Sequence, residues 1–127
     1  MVLLFVEDEK YSVIPFFFTP KENAFIRSRR DGVDYLNWES QGHMDLTPGD
    51  VTDYDFVKKK IREIAEVVDL RQVNYDRWNA SQLVIDCVNE GLPMNPYGQG
   101  FLSMSAPTKE LEKAIKSRSE SRTSMDV

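Results

Sequence analysis

A single cysteine, Cys87, leaves this chain without an internal disulfide, and a lone thiol suits a reducing compartment. It falls on the apolar side of a predicted helix, where it reads as a buried structural thiol rather than a reactive one. Histidine is equally scarce. His43 stands beside a glycine turn and reads as a surface residue, and no cysteine–histidine spacing suggests zinc. Long apolar runs are missing too: the longest, residues 1–6 and 13–18, fall far short of the roughly 20 residues a membrane-spanning helix needs. The N-terminus lacks the basic region and longer apolar core of a signal peptide. No Gly-x-x-x-x-Gly-Lys-Ser/Thr motif occurs, which argues against ATP hydrolysis by these residues. Basic charge is in short supply. Sixteen Lys and Arg against 21 Asp and Glu leave a formal charge of −5, unlike a chain built to coat nucleic acid. That balance does not exclude a nuclease, because a site that gathers metal ions is itself acidic. A soluble chain in the cytoplasm of its cell is the expectation.

What is present suffices for a core. The 127 residues suit one domain, and 41% hydrophobic content argues against wholesale disorder. Residues 3–6 and 11–18 read as two strands joined by a charged turn over residues 7–10. Both are apolar on successive residues, so both faces should be covered, although Pro15 removes a ladder donor and weakens the second strand. Thr19 as cap and Pro20 at the first helical position open a predicted helix to Arg29. A short helix over residues 35–41 ends at Gly42. The clearest helix spans residues 53–69, where Val57, Ile61, Ile64 and Val68 form one apolar stripe. Lys58, Lys59, Lys60 and Arg62 lie largely off it, as a solvated face or a phosphate-binding patch, the former being the commoner use of such a run. A strand over 71–75, a helix from Asn79 to Glu90 stopped by Gly91 and Pro93, and a strand over 94–97 follow. Gly98 and Gly100 bend the chain before a final helix over 108–115, and the polar residues 117–127 are expected to be a disordered tail. Strands alternating with amphipathic helices predict an α/β fold, a mixed sheet with flanking helices.

One acid stands out in this pattern. Asp76 ends an apolar strand just before a capped helix, at the rim where open α/β sheets gather ligands. A carboxylate there can hold Mg²⁺ or Mn²⁺ through oxygen, or simply cap the next turn. Asp50, Asp53 and Asp55 are explained by capping and the helix dipole, and Asp86 and Glu90 by solvation. Arg77 fits a phosphate contact or an ordinary ion pair equally well. Trp78 reads as a core anchor more readily than as a base-stacking platform. The Gly98-Gln99-Gly100 turn is a weak phosphate signal, because a need for glycine dihedrals explains it as well.

Several motifs, in order, carry a resemblance. Residues 11–20 (YSVIPFFFTP), 30–35 (RDGVDY), 38–42 (WESQG), 46–56 (LTPGDVTDYDF), 75–78 (YDRW) and 99–112 (QGFLSMSAPTKELE) resemble the nuclease domain of the large terminase subunit of tailed bacteriophages. The similarity covers residues 3–116, making residues 1–116 a partial nuclease domain. It implies a ribonuclease H-like core lacking its first strand and its C-terminal part, since Met1 enters about where the family's second strand begins. It also implies a DNA endonuclease with two Mg²⁺ or Mn²⁺ ions held by several acids. Only Asp76 carries over as catalytic residue and metal ligand, which leaves the activity of this chain open. Beside it, Arg77, Gln99 and Lys109 are candidate DNA contacts, with a solvated lysine the default for Lys109. The partners implied are double-stranded phage DNA, the terminase small subunit and the portal, in the cytoplasm of a bacterial host. Three readings stand: an inactive fragment of a DNA-packaging terminase, a non-catalytic subunit completing a split terminase by strand addition from a complementing fragment, and a decayed prophage remnant.

Overall fold

The computed structural model describes residues 1–8, 10–79 and 82–123, and the chain divides into two compact units that meet between Val68 and Asp69. The first unit begins with an antiparallel hairpin of β1 (Val2–Glu7) and β2 (Lys10–Pro15). Asp8 turns it at φ 49°, a left-handed conformation that a short polar side chain tolerates. Pro15 ends β2 opposite Val2, at the strand terminus where a missing donor does least harm. The expected cover on both faces does not form. Every residue of β2 is exposed, and only Leu3 in β1 is partly covered. The apolar sequence specifies the strands, which among the described residues pair only with each other, and their side chains stay exposed on both faces.

A parallel unit follows: β3 (Phe18–Pro20), α1 (Lys21–Asp31), α2 (Tyr35–Ser40) and β4 (Asp45–Thr47). The predicted Thr19 cap is displaced by one residue. Pro20 takes the cap position without a side-chain bond, because Thr19 is drawn into β3 opposite Leu46. The Gly49 carbonyl instead accepts from Glu22 N–H at 3.2 Å, meeting one orphan donor of the first turn. Asp34 caps α2 by accepting from Asn37 N–H at 3.1 Å. Helix α3 (Tyr54–Val67) starts at Asp53, whose carboxylate accepts from the backbone N–H groups of Asp55 and Phe56. Its predicted stripe faces inward, with Ile61 buried and Val57, Ile64 and Val68 half-buried. Phe56 meets Phe18 edge to face, with centroids 6.0 Å apart. Ala24, Leu46, Ile61, Thr19 and Thr47 form the buried centre of this unit.

The second unit is a parallel β5 (Val73–Asp76), α4 (Gln82–Asn89), β6 (Met94–Tyr97) unit, followed by the long α5 (Phe101–Thr123). Val84 and Cys87 bury one side of α4, so the thiol is enclosed as expected. Gly91 ends the helix at φ 79°, open to glycine without strain. Helix α5 differs from its predicted span. It starts before Pro107 and runs beyond Lys116, through residues 117–123, whose composition had suggested a disordered tail; residues 124–127 lie outside the described residues. The α/β character holds, with parallel and antiparallel pairing together. Among the described residues the mixed pairing takes the form of three two-stranded pairs.

Candidate functional site

The carboxyl ends of β5 and β6 lie side by side, because the parallel register sets Asp76 opposite Tyr97. Asp76 is half-buried at that rim. One of its carboxylate oxygens accepts from Trp78 N–H at 3.1 Å, the turn-capping bond that strand-end aspartates commonly make. Residues Arg77–Asn79 then form a single 3-10 turn. Trp78 is not the core anchor its size suggested. It is 79% exposed, and the Arg77 guanidinium lies over its ring, 5.2 Å from the centroid. A cation over an aromatic face within about 6 Å is attracted by the ring quadrupole. Among the described residues no carboxylate forms an ion pair with Arg77.

Across the rim, Gly98 follows β6. Its backbone does not take the positive φ that a glycine-specific turn would need, and neither does that of Gly100. Space is the reason for glycine at 98. A Cβ there would lie 2.7 Å from Ser103 Oγ, 3.5 Å from Ser103 Cβ and 3.6 Å from Arg77 Cζ. The missing side chain lets Arg77 and Ser103 close on one point. Behind them, the Tyr97 hydroxyl donates to the Ser103 carbonyl at 2.9 Å. That carbonyl is the one Pro107 leaves without its helical partner, since proline has no N–H to return four residues back. Tyr97 therefore repairs the gap and ties β6 to α5. Ser103 lies in the 99–112 motif that carried the resemblance, but its pairing with Tyr97 was not foreseen, because it emerges only once α5 is seen to begin before Pro107.

Gln99 is exposed in the loop leaving β6. Lys109 sits farther along α5, where it lines an open cavity of about 330 Å³ with Glu112, Lys113, Lys116 and Ser117. The structure thus gathers Asp76, Arg77 and the Gln99 loop at one rim and sets Lys109 on a separate face of cations and an acid. The lysines of α3 are engaged with acids of their own helix: Lys58 with Asp55 at 3.3 Å, Lys60 with Glu63 at 3.5 Å and Lys59 with Glu63 at 3.9 Å. Lys59 and Arg62 are exposed, whereas the Lys58 and Lys60 side chains are only 15% and 28% exposed, so the run is a solvated face only in part. His43 is exposed as expected. Among the described residues no three His, Cys, Asp or Glu side chains are grouped to hold a metal. No helix among them is long and apolar enough to cross a membrane.

An α/β frame with a strand-end carboxylate beside cationic and hydroxyl groups is compatible with a nuclease domain. Residues 1–121 match the family described as terminase large subunit, endonuclease domain, and the chain belongs to that family. The match extends past Lys116, where the motif resemblance stopped. The chain is similar to the large terminase subunit of Enterobacteria phage HK97, 35% identical over 111 residues, which are 86% of this chain and 22% of that protein. It is also 28% identical to protein YmfN of Escherichia coli strain K12, over 84% of this chain and 24% of that one. The crystal structure of the HK97 bacteriophage large terminase superposes with a TM-score of 0.79 at 34% identity, covering 91% of this chain and 25% of that one. The chain therefore spans about a quarter of the length of these relatives, and it has the terminase nuclease fold, consistent with a ribonuclease H-like core.

Proposed function

We propose that this chain supplies part of a DNA-cleaving centre that acts in phage DNA packaging, with Asp76 as one oxygen ligand for Mg²⁺ or Mn²⁺. The observation that carries this is the position of Asp76 at the carboxyl rim of the parallel β5–β6 pair, within a segment of the endonuclease family. Two-metal cleavage needs several carboxylates around ions about 4 Å apart, and one aspartate cannot hold both. The chain alone is accordingly inactive or nearly so, and double-stranded DNA, the small subunit and the portal are partners of the larger assembly. In this reading Arg77 and Gln99 contact DNA at the rim. Lys109 does so only if the duplex extends along α5.

Paramagnetic Mn²⁺ tests the ligand directly, since it broadens nearby amide signals even when bound weakly. Broadening should centre on Asp76, Arg77 and Tyr97 and vanish in Asp76→Asn. Broadening centred on the Asp50–Asp55 turn, or unchanged in Asp76→Asn, would remove the assignment. Supercoiled DNA incubated with the chain and Mn²⁺ should stay uncut.

A second reading is favoured by the exposed hairpin. Strands β1 and β2 present apolar side chains on both faces, as a subunit completed by a complementing fragment would. Co-expression with flanking terminase fragments should then yield a complex; recovery of the chain alone would set this reading aside.

A further inference from the structure

The Arg77–Trp78 pair has a geometry that a surface arginine does not need. The guanidinium lies over an indole that is itself 79% exposed, so the ring adds little to any core. It also closes on Gly98, the position where a side chain would lie 3.6 Å from Arg77 Cζ and 2.7 Å from Ser103 Oγ. Two elements therefore bring a cation and a hydroxyl to one point, one residue along the chain from Asp76. No carboxylate among the described residues neutralises that cation. A planar guanidinium is suited to phosphate, because its fork of donors matches two phosphate oxygens.

We infer that Arg77 and Ser103 form a contact for a DNA phosphodiester, with Trp78 as the positioning residue that holds the guanidinium over the rim. This rests on the DNA-binding part of the reading above and adds which groups meet the backbone. Trp78 acts through Arg77 and does not stack on a base. Gly98 is part of the device, because any side chain there separates the guanidinium from the hydroxyl.

The test is the affinity of the full chain for a short labelled duplex, measured by fluorescence anisotropy in EDTA across a salt series. Each phosphate contact contributes about 0.9 to the slope of log affinity against log salt. Arg77→Ala should therefore flatten the slope by about one. Trp78→Ala should weaken binding severalfold, Trp78→Phe should restore most of it, and Trp78→Ala should add nothing in the Arg77→Ala background. Both substituted positions are exposed, and circular dichroism of each variant checks that its fold is kept. An unchanged slope in Arg77→Ala, or losses that add in the double variant, would overturn the inference while leaving the Asp76 assignment standing. A wild-type chain with no salt-dependent binding would overturn this inference and the DNA contacts proposed for the rim together. The Mn²⁺ footprint at Asp76 is read independently of either result.

Discussion

The Asp31 carboxylate sits where α1 passes into α2, accepting from Arg30 Nε at 2.7 Å and from the Tyr35 hydroxyl at 3.0 Å. Those bonds, with the Arg30 charge, hold its pKa below the ordinary 3.8, while the same carboxylate pushes the Tyr35 phenol above its ordinary 10.0. The two shifts act at opposite ends of the pH scale. A lowered carboxyl pKa gives stability that is full above the unfolded value and lost as pH falls through the folded one. A raised phenol pKa gives stability that is full below about pH 10 and lost as pH rises through the folded value. The connection should therefore hold across the neutral range and loosen in acid and in strong alkali. Carboxyl NMR titration should place the Asp31 midpoint below that of a free aspartate, and Tyr35→Phe should move it back partway. An Asp31 that titrates at the ordinary value would show the network to be absent in solution. The motif that flagged residues 30–35 was legible in the sequence, but its physical content was not. The bonds cross a helix boundary, and neither periodicity nor spacing registers such a crossing.

At the level of elements, legibility followed length. Helix α3 declared itself through a four-residue stripe and an aspartate cap, and β5 through an apolar run ending in an acid. Strands β3 and β4 were missed because three residues carry no periodicity, and their buried members Thr19 and Thr47 read as polar. Composition also misplaced the start of α5, since Pro107 looks like a helix opening when its carbonyl partner is unknown. The Tyr97 hydroxyl explains why the helix tolerates it. Tyr97→Phe leaves the Ser103 carbonyl without a donor, a loss of about 1 kcal/mol, or roughly fivefold in local opening. Pro107→Ala returns a backbone N–H to the same carbonyl, so Tyr97→Phe should cost much less in that background. Amide hydrogen exchange over the first turns of α5 reads both effects. Equal losses in the two backgrounds would mean that the hydroxyl and the proline act independently, against the repair described for Ser103.

For the molecule as a whole, the interior is small and the apolar surface is large. Among the described residues each unit buries only a few side chains fully, whereas Leu4, Val6, Val13 and Ile14 of the hairpin are 46–62% exposed. A two-stranded ribbon with both edges unpaired is marginal by itself and offers a template for further strands. The total margin of a domain is only about 5–15 kcal/mol, so surface of this kind can decide whether the chain stays monomeric. Self-association growing with concentration is the expected behaviour, with the hairpin as its seat. Leu4 and Val13 face each other across the ladder, and replacing them as Leu4→Glu with Val13→Lys removes apolar area while keeping a favourable cross-strand pair. Sedimentation velocity should then shift from associated species towards the monomer, with the signals of the Asp69–Val127 unit unchanged. A wild-type chain that stays monomeric and melts cooperatively would locate enough stability in the two small cores to make the hairpin face inert. A double variant that associates as strongly as wild type would move the sticky surface elsewhere, with the exposed Phe101 and Leu102 at the start of α5 as the next place to substitute.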